Sequence, residues 1–312
     1  MSSSEVAPAA VFLVLYTAFF LLLSTLYATK RIKWKSRYTF VFVHVTLRVV
    51  GMALGVAFSE MEWEEGGGER VDAYLVFSAE GYFSLILCAY RFLVVWQQDR
   101  FGSSPLEPRI PKGTPKRQQW RMHLRAPLAS LHWALITANA LIISGSSIMA
   151  GAIGKEDDEG TRNKQDTAKR LRVAGTVIFL FVVQVFFVLC LFSARRYNKR
   201  GDRTLFLIAA TWPFLTVRGV YGILNVLVSA YSYSSSSVYT RDGFTSTFLV
   251  GEHVLGTAME WLACGLLLAT YFSRVVGGEG MVEDWAAADR REDEREGETP
   301  REGKGVRAEE RV

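Results

Sequence analysis

The residues best able to do chemistry in this chain are polar side chains set within long apolar stretches. A charged side chain inside a bilayer is costly, so it faces the interior of a helix bundle or a polar cavity. There it either binds a substrate or lipid head group, or it pairs with another charge and orients the helices. The candidates for one intramembrane polar site are His44, Arg48, Glu80, Arg218, Tyr221, Asn225, His253 and Glu260.

Helical spacing gathers the first of these residues onto one face. Arg48 follows His44 by one turn, and Gly51 and Gly55 continue the same face. Because glycines permit close backbone approach, we predict that this face turns toward other helices rather than toward lipid.

A later stretch repeats the pattern. Thr211, Arg218, Tyr221 and Asn225 fall on one helix face. Pro213 precedes the arginine and has no N–H to donate to the preceding turn, so the helix is predicted to kink there.

The acidic counterparts are Glu80 and Glu260, and His253 shares a face with Glu260. A helix rises about 1.5 Å per residue, which allows the depths of these residues to be compared. Arg218 and Glu80 lie at a similar depth, as do Arg48 and Glu260, and we predict these two ion pairs. The pairs either line a polar cavity or only orient the helices, and the sequence leaves both interpretations open.

Three further polar residues are assigned structural roles. Arg91 lies near the inner end of its helix and is expected to reach the lipid head groups without a protein partner. Gln184 and His132 are single polar residues, and each is predicted to hydrogen-bond to a neighbouring helix.

Seven apolar stretches hold these residues. Half of the 312 residues are hydrophobic, and the 21% that are charged occur in blocks between the stretches. This composition excludes a disordered chain, a disulfide-stapled secreted domain and an ordinary cytosolic enzyme. Because a spanning helix needs about 20 apolar residues, the predicted fold is all-α, a polytopic membrane protein with a bundle of seven transmembrane helices in residues 1–274. The spans are approximately 6–29, 38–59, 73–96, 126–154, 173–194, 204–231 and 247–272.

The loops between the stretches differ in charge. Those at 30–37, 100–125 and 195–203 are basic, and the one at 60–72 is acidic. The positive-inside rule then predicts an N-terminus outside and a cytoplasmic C-terminus, in the plasma membrane or an endomembrane. The basic loops are predicted to contact anionic lipids of the inner leaflet. No nucleic-acid partner is expected, because no groove-reading motif accompanies the charge.

Residues 275–312 differ sharply from the rest in composition. They are rich in Glu, Arg and Gly and poor in large apolar residues. Such a segment cannot bury enough surface to offset its ordering entropy, so a disordered charged cytoplasmic tail is predicted. It is either a solvated tail or a docking segment for a cytoplasmic partner.

The cysteines and histidines bear on disulfides, metals and cofactors, none of which is predicted. Cys88, Cys190 and Cys264 all fall inside the stretches, so no disulfide can join the loops. A membrane zinc hydrolase needs several converging histidines, and no stretch holds two. A retinal protein needs a lysine in the last span, which 247–272 lacks.

Two segments resemble known membrane protein families. In the sixth span, PFLTVRGVY (213–221) leads from a proline through apolar residues to Arg218 and Tyr221. It resembles a recurrent segment of a fungal family of seven-helix integral membrane proteins of unknown function. The second span, TFVFVHVTLRVVGMALGVAF, is similar to that family's second helix. The resemblance implies a seven-helix fold over most of 6–274 and no defined activity.

A more distant similarity is to fungal lipid-translocating exporters, which have an arginine–tyrosine motif in the sixth helix. The chain departs from that pattern, because the acidic residue expected soon after Tyr221 is absent.

These observations leave three classes of function. A lipid-handling or small-molecule transport-type protein is favoured, and the alternatives are a seven-helix receptor-like sensor or a structural or adaptor membrane protein. An intramembrane enzyme is disfavoured, because the sequence shows no nucleophile or metal constellation. The oligomeric state is not indicated.

Overall fold

The computed structural model describes residues 3–59, 67–107, 115, 126–152, 159–197, 202–232, 235–240 and 243–276. Its α-helices are α1 (Ser3–Ala28), α2 (Tyr38–Ser59), α3 (Gly67–Phe101), α4 (Pro127–Ala150), α5 (Glu159–Tyr197), α6 (Arg203–Ala209), α7 (Thr211–Leu227), α8 (Ser246–Val250) and α9 (Met259–Val276). A π-helix, Gly251–Ala258, joins α8 to α9, and 3-10 turns occupy Ser229–Tyr231 and Ser236–Val238. Strands β1 (Tyr239–Thr240) and β2 (Gly243–Phe244) pair antiparallel. The predicted tail, 275–312, lies almost entirely outside the described residues.

The helices are long and apolar, as the composition predicts. Within the described residues, five are long and apolar enough to cross a membrane: Pro8–Ala28, Pro127–Met149, Glu159–Tyr197, Arg203–Leu227 and Ser246–Ser273. A shorter apolar helix covers Tyr38–Leu54. The predicted helical fold is confirmed, while seven crossings and their direction stay predictions.

The helices pack as a ring that follows chain order. α1 packs on α2, α2 on α3, α3 on α4, α4 on α5, α5 on α7 and α7 on α9, and the π-helix returns to α1. α3 also contacts α5, α6 and α9. From Cys88 to Gln97 every α3 residue except Arg91 is buried. Because a helix segment that is buried on all sides lies inside its bundle, this part of α3 lies in the interior of the bundle.

The outer surface of the ring is apolar. Large hydrophobic side chains on several helices are strongly exposed, among them Val14 (68%), Phe181 (67%) and Phe206 (72%). Soluble proteins do not expose an apolar surface this extensive, but a helix surface in contact with lipid does.

Two helices are interrupted beside the interior charges. α6 ends at Ala209 and α7 begins at Thr211, with Pro213 in its first turn. The interruption at Ala210 comes just before Pro213, which cannot donate to the carbonyl of the preceding turn, and a kink of the helix there stays a prediction. The π-helix Gly251–Ala258 is the second interruption, and such segments occur frequently at functional sites.

The end of α3 and the start of α6 meet at Asp202. This carboxylate caps α6 by accepting from Leu205 N (3.1 Å). It also accepts from Trp96 Nε1 (3.1 Å) and pairs with Arg100 Nε at 3.2 Å. Asp202 therefore joins the start of the short helix α6 to the end of α3.

Arg91 differs from its prediction. Its Nη1 pairs with Glu107 Oε2 at 2.6 Å, so the expectation that it needs no protein partner was wrong. The chain turns back after α3 at Gly102, whose φ of 76° suits glycine, and this return brings the Glu107 carboxylate to the arginine.

α5 is much longer than the apolar stretch within it. It has 39 residues, which corresponds to about 58 Å at 1.5 Å per residue. The hydrocarbon core of a bilayer is about 30 Å thick, so α5 is roughly twice as long as a perpendicular crossing requires. Its first half begins at Glu159 and contains the buried Arg172.

Candidate polar site inside the helix bundle

One carboxylate binds two arginines from different helices. Glu260 in α9 is fully buried and accepts from Arg48 Nη2 of α2 through its Oε2. Its Oε1 accepts from Arg218 Nε of α7 at 2.6 Å. The two arginine side chains are 5% and 11% exposed. Removed from water, these charges interact strongly, and together they join three helices.

A missing side chain on α3 makes room for one of the arginines. A Cβ at Gly81 would overlap the Arg48 guanidinium. Gly81 is thus the point at which α3 admits a charged group against its backbone. The sequence contains no local signal for this role, because Gly81 has an ordinary helical conformation.

The second arginine lies between two tyrosine rings. Arg218 Cζ is 5.3 Å from the centroid of Tyr82 and 5.9 Å from that of Tyr221. Tyr82 Oη donates to Leu215 O at 2.8 Å, in the first part of α7. These rings shield the guanidinium and hold its plane, and each contributes a cation–π contact.

A second hydrogen-bonded chain continues along the same face of α7. Arg172 Nη2 of α5 donates to Asn225 Oδ1 at 3.0 Å. Asn225 Nδ2 donates to Tyr221 Oη at 3.5 Å, and Tyr221 Oη donates to Glu252 Oε2 of the π-helix at 3.0 Å. All four side chains are buried. Because Arg218 contacts the Tyr221 ring, the two polar groups form one continuous network along α7.

His44 lies one turn from Arg48 and is fully buried. Its Nδ1 is 2.9 Å from Ser84 Oγ, and that hydroxyl donates to Gly81 O at 2.9 Å. The ring meets Tyr16 of α1 edge-on, with centroids 6.2 Å apart. His44 therefore connects the α2 face to both α1 and α3.

The structure brings together most of the predicted residues. The predicted Arg48–Glu260 pair is present, and Arg218 contacts the same carboxylate. The side chain of Glu80 lies outside the described residues, so its pairing with Arg218 stays a prediction. His253 is partly buried and stacks on Phe12 of α1, at 5.9 Å between centroids.

Four residues in or beside the network were not predicted. Glu252, Arg172, Tyr82 and Tyr16 were not among the sequence candidates. A signal for Arg172 lies in its spacing, because it shares a helix face with Ala168, Gly175 and Phe179. All four residues are buried, so the inward-facing side of α5 extends beyond its apolar stretch. Gln184 was predicted to bond to a neighbouring helix, and it does: its Nε2 donates to Thr216 Oγ1 at 3.3 Å.

The arrangement consists of paired charges and hydrogen-bonded polar side chains. In the described part of the chain, no three His, Cys, Asp or Glu side chains converge in a way that could hold a metal ion. The described cysteines are buried as free thiols. What the network offers is paired charge and directed hydrogen bonds within the bundle.

The comparison with protein families finds one similarity. The model of a domain of unknown function (DUF7702) matches residues 115–264. The matched residues include Arg218, Tyr221, Asn225, Glu252 and Glu260. Arg48 precedes the matched residues and is not among them. The chain is thus similar to this family over the half of the ring that contains the α7 network. Among curated proteins and among solved structures, no match to the chain is found.

Proposed function

We propose that the chain is a seven-span membrane protein of the lipid-handling or small-molecule transport type, in which a polar ligand interacts with the network along α7. The observation that carries this proposal is the continuous set of buried polar groups from Glu260 and its two arginines to Glu252. Buried charges inside a membrane bundle mark substrate or ion pathways in transporters.

The two interrupted helices support a protein that changes conformation. The interruption between Ala209 and Thr211 and the π-helix Gly251–Ala258 flank the network on α7 and α9. Transporters place binding sites where helices are discontinuous, because such breaks let half-helices move separately. A purely structural ion pair has no need of both breaks.

The proposal includes the direction of insertion. We take the N-terminus to be outside and the C-terminus cytoplasmic, with the basic loops against anionic lipid. Trp34 supports the placement of the first basic loop at a membrane interface: it is 64% exposed and stacks on Tyr27 with centroids 4.4 Å apart, as an aromatic anchor does. The tail is proposed as a cytoplasmic segment. We also propose that the chain is related to the fungal family of seven-helix membrane proteins, and more distantly to the fungal lipid-translocating exporters.

The test is a transport measurement with purified protein in vesicles. Quenching of a fluorescent phospholipid by a membrane-impermeant reductant reports lipid movement between leaflets, and release of trapped small solutes reports solute movement. Arg218→Lys keeps the charge beside Glu260 but loses the planar stacking on Tyr82 and Tyr221, so we expect slower movement with the fold preserved. Arg203→Lys, at an exposed position of α6, is the matched control and should behave as wild type.

Each outcome of this assay has a consequence. Movement of lipid or solute that Arg218→Lys slows and Arg203→Lys does not supports the proposal. A folded protein that moves neither cargo overturns it and favours the receptor-like or adaptor alternative. One observation supports the receptor-like alternative: the helices pack in chain order, and part of α3 lies in the interior of the bundle.

A further inference from the structure

The polar atoms beneath α1 differ from those along α7, because they have no hydrogen-bond partner among the described residues. Four belong to this group: Tyr16 Oη, His44 Nε2, His253 Nδ1 and Trp261 Nε1. Tyr16 and His44 are both 0% exposed. Buried polar atoms are nearly always satisfied, so several unsatisfied ones at a single helix interface require an explanation.

α1 covers these atoms with one aromatic face. Phe12, Tyr16 and Phe19 recur at helical spacing along α1. Phe12 stacks on His253 at 5.9 Å, Tyr16 meets His44 at 6.2 Å, and Phe19 stacks on Trp261 at 5.1 Å between ring centroids. Each orphaned ring nitrogen therefore lies beside an α1 ring, in the seam that α1 forms with α2, the π-helix and α9.

The hydrogen-bond roles of these atoms define what could bind. Ser84 donates its only proton to Gly81 O, so its oxygen accepts from His44 Nδ1–H. The neutral imidazole then has its lone pair on Nε2, which needs a donor. Tyr16 Oη can donate and accept, and Trp261 Nε1 can only donate. One hydroxyl that donates to His44 and accepts from Tyr16, with a second oxygen for Trp261, satisfies all three.

The side chains around the seam indicate that such a ligand enters from the lipid. The side of α1 away from the seam is apolar and exposed, with Val11 at 55% and Val14 at 68%, and Val254 of the π-helix is 48% exposed. The seam thus borders hydrocarbon in a membrane. An ionised carboxylate or a phosphodiester lacks the donor that His44 requires, and it would compete with Glu260 for the arginines.

We infer that the seam under α1 binds the head group of an uncharged lipid that carries a free hydroxyl and an ester carbonyl, as a diacylglycerol does. Trp261 stacks on Phe19, which follows Tyr16 by one turn of α1, a rise of about 4.5 Å, so the two donors lie at successive levels of the seam. This inference rests on the proposed lipid-handling function and adds to the network along α7 a second site, with a class of lipid to bind there.

The test is native mass spectrometry of the full chain, with dioleoylglycerol, its methyl ether, dioleoyl phosphatidate and glycerol as probes. We expect dioleoylglycerol to bind about five to ten times more tightly than the ether, as the loss of one buried hydrogen bond predicts. Tyr16→Phe should weaken dioleoylglycerol binding by a similar factor, without loss of thermal stability, because it removes an unsatisfied buried hydroxyl. Trp261→Phe gives a second, independent variant.

Tyr90→Phe is the matched control. Tyr90 Oη donates to Val182 O at 2.7 Å, away from the seam, so this variant should unfold at lower temperature yet bind dioleoylglycerol as wild type does. Equal binding of the lipid and its ether, or unchanged binding by Tyr16→Phe and Trp261→Phe, overturns the inference. Preferred binding of phosphatidate or of glycerol alone overturns it as well. This assay measures lipid binding and the vesicle assay measures transport. A negative result in one therefore does not decide the outcome of the other.

Discussion

Replacing Glu260 by glutamine tests the shared carboxylate directly. The change keeps the size of the side chain and removes the charge that Arg48 and Arg218 both contact. Breaking a buried ion pair by removing one partner costs about 3–5 kcal/mol. We expect Glu260→Gln to lie in that range. Arg48→Met should cost less, about 1–3 kcal/mol, because Glu260 keeps its 2.6 Å bond to Arg218.

The measurement is the free energy of unfolding in lipid–detergent micelles, from a denaturing-detergent titration followed by circular dichroism and tryptophan fluorescence. Glu107→Gln is the matched control, since its carboxylate pairs with Arg91 but is 23% exposed. Partly exposed pairs contribute about 0–1 kcal/mol. If Glu260→Gln cost no more than Glu107→Gln, or less than Arg48→Met, the shared carboxylate would not be the group that holds the three helices together.

Three further predictions concern neighbouring contacts. Tyr221→Phe removes the hydroxyl between Asn225 and Glu252 and should cost about 1–3 kcal/mol of unfolding free energy, whereas Tyr231→Phe, on the adjacent ring, should be nearly neutral. Gly81→Ala places a methyl group against the Arg48 guanidinium and should lower the unfolding free energy by about 1–3 kcal/mol, while Gly151→Ala, with only distant neighbours, should not; equal stability of the two would contradict the packing described. Asp202→Asn weakens the bonds from Trp96 and Arg100, so hydrogen exchange should accelerate at the start of α6 and stay unchanged in α4.

The helix faces were predictable because they depend on local spacing. Arg218, Tyr221 and Asn225 share a face at i, i+3 and i+7, and the structure connects them through one network. The Arg48–Glu260 pair followed from depth alone, since a helix advances by a fixed rise per residue. The interruption of the helix at Ala210 fits the missing N–H of Pro213, which leaves a carbonyl of the preceding turn without its usual donor.

The contacts that the sequence did not predict depend on departures from regular helix geometry. The sequence pattern favoured His253 on the face of Glu260, but the residue that bonds to Tyr221 is Glu252. A π-helix has more residues per turn than an α-helix, so it rotates the residues before Glu260 by part of a turn. Glu107 was missed as the partner of Arg91 because the contact depends on how the chain returns after Gly102.

The long separation between Arg48 and Glu260 has a consequence for how the protein is made. The two residues are 212 positions apart, and Arg218 precedes Glu260 by 42. At about 5–20 residues per second, a ribosome needs roughly 10 to 40 s to travel from Arg48 to Glu260. During that time α2 exists without the carboxylate that binds its arginine. The ring can therefore close only once α9 has been synthesised, which makes the joining of α2, α7 and α9 a late event in biosynthesis.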